Sequence, residues 1–127
     1  MRSVDNFIFK EIYGEYIEEP SVHMAPFVSI LCQKKITIKS DVYIGPSVTI
    51  VDFDHDYKNF MHNIGEKEEV YIGNDTWIGA NAVILKGVHL GIRCVVGAGS
   101  VVVGDNYPDG SVIVGNPGKI IKNHLHE

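Results

Sequence analysis

The chain has no long hydrophobic run, few cysteines and no excess of positive charge. Its apolar segments are only a few residues long, too short to span a membrane, and the net charge of −5 argues against general nucleic-acid binding. The first five residues lack the pattern of a signal peptide. The two cysteines, Cys32 and Cys94, are predicted to be packed thiols in a reducing cytoplasm. These features favour one globular, cytoplasmic domain over residues 1–127.

The second half of the chain carries a six-residue repeat. An aliphatic residue returns at every sixth position in two runs. The residues are Ile38, Ile44 and Ile50 in the shorter run, and Ile72, Ile78, Ile84, Leu90, Val96 and Val102 in the longer one. A period of six fits neither a helix nor simple strand alternation, and it is typical of a β-helix. We predict an all-β parallel β-helix of about four turns over residues 21–118. Residues 1–20 are predicted to form an irregular N-terminal cap, with a fragment of an earlier turn as the alternative, and residues 119–127 a short helical C-terminal cap.

The third residue after each aliphatic position is suited to a tight corner. These residues are Asp75, Asn81, Gly87, Arg93 and Gly99. Asp, Asn and Gly tolerate left-handed backbone angles best, so each hexapeptide reads as a short strand followed by a corner. Arg93 fits this pattern least well.

The repeat loses its phase once. Ile50 and Ile72 are 22 positions apart, which is not a multiple of six. The charged stretch between them predicts a loop, residues 51–69, that leaves the coil. Long loops in compact domains are often functional, and this one contains His55 and His62.

Several stretches together resemble one known family. They are Ile44–Ile50 (IGPSVTI), Trp77–Ala82 (WIGANA), Val96–Val102 (VGAGSVV) and Gly115–Lys119 (GNPGK). They resemble the hexapeptide-repeat acyltransferases, and most closely the bacterial maltose- and galactoside-acetyltransferase branch. The resemblance implies a left-handed parallel β-helix and transfer of an acetyl group from acetyl-CoA to a hydroxyl, with no metal.

The resemblance also implies a catalytic base. In this chain the matching histidine is His55, which would take the proton of the acceptor hydroxyl as it attacks the thioester, without an acyl-enzyme. Asp54 and Asp56 would contact the acceptor, favour the imidazolium or hold the loop. The Ala80 amide would stabilise the oxyanion. His62 is interpreted as structural or acceptor-contacting.

For the donor, the resemblance implies a groove between the subunits of a homotrimer. The residues that match its coenzyme A contacts are Trp77, Ala80, Ala98, Val103, Gly104, Lys119 and Lys122. The two lysines would face phosphate, although both also suit a solvated cap. Many relatives carry Thr-Lys at Val103-Gly104, and the acceptor side, near Met24–Phe27, matches the family less well than the donor side.

Other functions remain open at this stage. One is a non-catalytic trimeric binding module or a decayed enzyme, which would not need His55. Another is a zinc carbonic anhydrase on the same fold, which needs two zinc-binding histidines five positions apart, and no histidine pair here has that spacing. The acceptor could be a sugar, a polysaccharide precursor or an antibiotic, and the acyl group could differ from acetyl.

Overall fold

A computed structural model describes residues 2–60 and 63–126 of the chain. Numbered β1–β19 along the chain, short strands stack into three parallel sheets, which form a solenoid of about five turns. The first sheet contains β2 (Ile8–Ile12), β5 (Ser29–Cys32), β8 (Thr49–Val51), β13 (Val83–Ile84) and β16 (Val101–Val102), with β1 (Arg2–Asp5) antiparallel on β2. The second contains β3 (Glu15–Glu18), β6 (Lys35–Ile38), β11 (Val70–Ile72), β14 (Val88–Leu90) and β17 (Asp105–Tyr107).

The third sheet extends into a C-terminal hairpin. It contains β4 (His23–Met24), β7 (Tyr43–Ile44), β12 (Trp77–Ile78), β15 (Val95–Val96), β18 (Ser111–Gly115) and β19 (Gly118–Asn123). β19 runs antiparallel to β18, so the expected helical cap is wrong: residues 118–123 form a strand. Pairing with the edge of β18 satisfies backbone groups that an isolated short helix would leave to water.

The six-residue repeat forms the core, as predicted. Successive turns place its aliphatic side chains on top of one another, as in the register of Ile50 with Ile84 and of Ile84 with Val102. All nine aliphatic residues of the repeat are buried, together with Val28, Ile30 and Ile36 from earlier turns. The interior is therefore a stack of aliphatic layers along the solenoid.

The predicted corners are also confirmed. All five predicted corner residues, Asp75, Asn81, Gly87, Arg93 and Gly99, have positive φ, and so do Asp41 and Ser47 one turn earlier. Arg93, at φ 55°, adopts this conformation despite its side chain. The path of the coil therefore imposes a left-handed backbone angle at this corner, although arginine disfavours that angle.

Of the two alternatives for residues 1–20, the irregular cap is wrong and the structure has the earlier turn, which begins at β2. β2 and β3 pair in parallel with β5 and β6. The aliphatic pattern is hidden because Lys10 and Glu18 occupy register positions beside Ile30 and Ile38. Their charged groups lie 3.0 Å apart and offset each other. This added turn explains why the solenoid has about five turns rather than four.

The predicted loop over residues 51–69 leaves the coil as a β-hairpin. Its strands are β9 (Phe53–His55) and β10 (Ile64–Lys67), joined by a connection that begins with a 3₁₀ turn at Tyr57–Asn59. We call this segment the 53–67 hairpin. Its two strands pair with each other and with none of the three coil sheets.

Both cysteines are buried and unpaired, as predicted. Burial, aided by the nearby Asp52 carboxylate, raises the pKa of the Cys32 thiol to about 11, and burial also raises that of Cys94. Neither thiol is therefore ionised near neutral pH. Among the residues that the structure describes, no helix is long and apolar enough to cross a bilayer.

Candidate active site

His55 is the last residue of β9 and projects from the 53–67 hairpin. Its side chain is exposed, and its ring meets the edge of the Phe53 ring with centroids 5.8 Å apart. It borders an open depression of about 490 Å³, which is also lined by Asp56, Lys58 and Glu66. Within the described part of the chain, no hydrogen bond engages its ring nitrogens. The imidazole therefore borders this depression without a hydrogen-bond partner among the described residues.

The two predicted acceptor carboxylates are engaged in the hairpin itself. Asp54 Oδ1 accepts a hydrogen bond from the Glu66 N–H at 3.0 Å, across the two strands. Asp56 Oδ2 accepts one from Asn59 Nδ2 at 2.6 Å, and the Asp56 N–H donates to the Asn63 carbonyl at 3.0 Å. These contacts show that both residues hold the hairpin; their contact with an acceptor stays a prediction.

Lys86 is a residue of this site that the sequence did not reveal. Its ammonium lies 3.6 Å from Asp54 Oδ2, 3.5 Å from Glu66 Oε2 and 3.4 Å from Glu68 Oε1. Burial opposes its charge, but the hydrogen bond from Lys86 to Glu68 and the neighbouring carboxylates prevail and raise the pKa of Lys86. The six-residue pattern gives no signal for this contact, because the carboxylates come from the segment that leaves the repeat.

Asp52 anchors the base of the hairpin. Its buried carboxylate accepts three backbone N–H bonds from the preceding turn of the coil: Gln33 at 2.7 Å, Lys34 at 2.8 Å and Lys35 at 2.8 Å. Its carbonyl accepts the Glu68 N–H at 2.9 Å, which brings the two ends of the hairpin together. An acidic residue at the point where the repeat breaks was the available signal, but its partners could not be inferred.

Val103 and Gly104, two of the predicted donor contacts, lie close to the hairpin. With Leu85, Lys86 and Asp54 they line a mainly apolar depression of about 230 Å³. Asp54 also lines the depression that His55 borders, so the two cavities adjoin at this residue. This part of the predicted donor site therefore lies beside Asp54, the residue that precedes the predicted base in the chain.

Trp77, Ala80 and Ala98 lie elsewhere. Ala80 precedes β13, whereas His55 follows β8, and these two strands run side by side in parallel. The first sheet therefore lies between the corner of Ala80 and the start of the hairpin that carries His55. Ala98 sits on the same corner as Ala80, since the Gly99 N–H donates to the Ala80 carbonyl at 2.8 Å.

Trp77, Lys119 and Lys122 lie on the third sheet. Trp77 is more than half exposed and stands in register with Tyr43, whose ring stacks on His23 with centroids 4.5 Å apart. Lys119 and Lys122 are exposed residues of β19. Lys119 is near the corner of Ala98, because it follows the turn in which the Gly115 N–H donates to Ser100 Oγ at 3.0 Å. The predicted donor residues thus form two groups at two corners of one chain.

The remaining histidines lie outside these groups. His62 falls outside the described residues. His89 is exposed on a regular turn of the coil and packs on the Tyr71 ring, with centroids 4.5 Å apart. His124 contacts the Arg93 carbonyl through Nε2. In the described ranges no cluster of three or more histidine, cysteine, aspartate or glutamate residues could hold a metal ion.

Comparison with known proteins agrees with this architecture. Residues 69–106 match the family model described as the hexapeptide repeat of succinyl-transferase. The galactoside O-acetyltransferase of Escherichia coli K12 is 35% identical over 113 residues, which cover 87% of this chain and 55% of that protein. The chain spans about half to three fifths of the length of several curated relatives that it matches.

Solved structures show the same likeness. A maltose O-acetyltransferase from Clostridium difficile 630 is 31% identical, with a TM-score of 0.72 and coverage of 90% of this chain and 58% of that one. The hexapeptide-repeat acetyltransferase VCA0836 of Vibrio cholerae, solved with acetyl coenzyme A, is 29% identical, with a TM-score of 0.71 and coverage of 88% and 70%. The repeat, the solenoid and these relatives together show a hexapeptide-repeat protein whose relatives are named as acetyltransferases.

Proposed function

We propose that this protein is an acetyl-CoA-dependent O-acetyltransferase that acts on a hydroxyl of a sugar or saccharide-like acceptor, with His55 as its general base. The observation that carries the proposal is the junction of two cavities at Asp54. One is bordered by an imidazole that is open to a ligand, and the other is a mainly apolar depression beside Val103 and Gly104. A thioester arm in the second cavity would present its carbonyl near the base in the first.

The relatives support this assignment of donor and acceptor. The similar Vibrio cholerae structure was solved with acetyl coenzyme A, and the similar enzymes from Clostridium difficile and Escherichia coli are named for maltose and galactoside. The open, polar depression beside His55 suits a hydroxylated ligand, since carboxylates and a lysine surround the imidazole.

The chemistry needs one base and one good leaving group. His55 takes the proton of the acceptor hydroxyl while its oxygen bonds to the thioester carbonyl carbon. The tetrahedral intermediate then collapses, its carbon–sulfur bond breaks, and coenzyme A leaves as a thiolate that receives the proton from the imidazolium. The products are an O-acetyl ester and free coenzyme A, and no acyl-enzyme is formed.

The complete site is proposed to lie between the subunits of a homotrimer. In the described part of the chain no hydrogen bond engages the Ala80 N–H, so it is available as an oxyanion donor. Ala80 precedes β13, whereas His55 lies in the hairpin that follows the neighbouring strand β8. A neighbouring copy could bring its own Ala80 corner, with Trp77 and Ala98, to this His55. Lys119 and Lys122 would then meet the donor phosphates.

The mechanism is tested by replacing His55. Purified protein with acetyl-CoA and a panel of sugar acceptors should release free thiol, and His55→Ala should lower kcat by about a hundredfold or more. His89→Ala is the matched control, since His89 is an exposed histidine on a regular turn, and it should keep the wild-type rate. Full activity of His55→Ala would contradict the assignment of the base.

Donor binding is measured separately from catalysis. Acetyl-CoA at a hundred times its Kd should stabilise the folded wild-type protein and His55→Ala alike, by about 2.7 kcal/mol. Stabilisation without thiol release on any acceptor would favour the non-catalytic binding module. No stabilisation at all would contradict the donor assignment.

A further inference from the structure

Ion pairs between charged side chains link the 53–67 hairpin to the coil. β9 and β10 pair with each other and not with the coil sheets. An isolated two-stranded hairpin is only marginally stable in water. Asp52 fixes its base, but His55 lies farther out along β9. Contacts from the coil to the strands must therefore fix the position of the imidazole.

Lys86 supplies such a contact from the coil. Its ammonium reaches Asp54 on β9, Glu66 on β10 and Glu68 just after β10, all at 3.4 to 3.6 Å. Three carboxylates gathered without a cation would repel one another. A single lysine from the coil thus joins both strands of the hairpin and the segment that returns to the coil.

The backbone around Lys86 is shaped for this arrangement. The next residue, Gly87, has φ +80°, and its N–H donates to the Glu68 carbonyl at 3.2 Å. A Cβ on Gly87 would lie 2.6 Å from Glu68 Oε2. The missing side chain therefore leaves room for the carboxylate that Lys86 binds.

The link from Lys86 to His55 passes through Asp54. Asp54 bonds the Glu66 N–H through one oxygen and faces Lys86 with the other. Successive side chains of a strand point to opposite faces, so a fixed Asp54 fixes the face on which His55 projects. The ring contact of His55 with Phe53, two residues earlier, agrees with this alternation.

We propose that Lys86 is a positioning residue that fixes the orientation of the 53–67 hairpin and thereby places the His55 imidazole. The inference rests on the proposed function for its catalytic consequence, and on the structure alone for the hairpin itself. Lys86 takes no part in the chemistry. Loss of the Lys86 ammonium moves the base relative to the acceptor hydroxyl, and general-base catalysis is sensitive to such a displacement.

The test compares Lys86→Met with a matched control. Lys39→Met removes another partly exposed lysine that forms an ion pair, with Glu19 at 3.2 Å. Lys86→Met should lower kcat by about ten- to a hundredfold while the KM for acetyl-CoA stays within about twofold. Lys86→Arg, which keeps the charge, should restore most of kcat, and Lys39→Met should behave as wild type.

Hydrogen exchange provides a readout that does not need activity. In Lys86→Met the amides of β9 and β10, including the Glu66 N–H, should exchange faster, while those of β11 and β14 keep their protection. Unchanged hydrogen exchange of the hairpin amides would overturn the proposal that Lys86 fixes the hairpin. A raised KM for acetyl-CoA with unchanged kcat would also overturn it and make Lys86 a donor contact. An inactive wild-type protein would contradict the proposed function, and the exchange result would still decide whether Lys86 holds the hairpin.

Discussion

At the scale of single residues, Asp52 joins two parts of the coil that are far apart in sequence. Its carboxylate is buried, and it accepts three backbone N–H groups from residues 33–35. Such groups are left without a partner if the acceptor is lost, and a buried unpaired donor costs more than an average hydrogen bond contributes. Asp52 therefore stabilises the turn below the hairpin as well as the base of the hairpin.

Asp52→Asn should lower the free energy of unfolding by about 2 to 3 kcal/mol, because one amide oxygen replaces two acceptor oxygens and its NH₂ faces other donors. Urea denaturation measures this as a lower midpoint with an unchanged m-value. Asp75→Asn is the control, because Asp75 is an exposed corner at φ 60°, a conformation that Asn tolerates. Its free energy of unfolding should stay within about 0.5 kcal/mol of the wild-type value. Equal effects of the two substitutions would contradict the special role of Asp52.

At the scale of elements, the 53–67 hairpin is an insertion between two turns of a regular coil. Its base is closed by the hydrogen bond from the Glu68 N–H to the Asp52 carbonyl. Beyond it, β11 returns into register with β6, as Val70 pairs with Ile36. The coil therefore does not need the hairpin in order to continue.

Excision of Phe53–Glu68 should leave a folded solenoid. The deletion joins Asp52 to Glu69, keeps the Asp52 carboxylate and places Ile72 six positions after Ile50, which restores the repeat. We expect a β-type circular dichroism spectrum and one cooperative unfolding transition, with no transferase activity. A deletion one residue longer, Phe53–Glu69, breaks the six-residue phase and should fold poorly. Equal folding of the two variants would show that phase does not govern the coil.

The elements also show what the sequence can and cannot predict. The six-residue period and the corner residues determine backbone angle and burial locally, so the coil and the corners at Asp75 to Gly99 were predicted correctly. The first turn was only an alternative to an irregular cap, because Lys10 and Glu18 stand in register with core positions and offset each other's charge. Lys86 was missed because its partners depend on the path of the hairpin. The break in phase identified the loop that holds His55, and the role of His55 as a base came from the family resemblance; that role, like the hand of the coil, stays a prediction.

At the scale of the whole molecule, the proposed active site is divided between two corners of the solenoid. The first sheet lies between the Ala80 corner and the start of the hairpin that carries His55. In the proposed site, a second copy supplies the Ala80 corner. Solenoids also have thin cores, and association adds buried surface.

The protein should therefore form a homotrimer in solution. Light scattering coupled to size exclusion should give three times the 14.1 kDa chain mass. Mixed trimers of His55→Ala chains with chains that lack the donor corner, such as Trp77→Ala, should recover part of the activity, since some interfaces then combine both intact groups. A fully active monomer would contradict the shared site.

The two buried cysteines can report how often the solenoid opens near each of them. Cys32 lies in the turn that Asp52 caps, and Cys94 lies several turns farther along; both are protonated and inaccessible in the closed fold. A thiol reagent can reach either one only when the surrounding layers separate, so the rate of labelling reports how often that region opens. Comparison of the two rates would reveal whether the coil separates from one end or yields throughout its length. Because both cysteines are buried, the protein's own thiols do not react in an assay that measures the thiol of released coenzyme A.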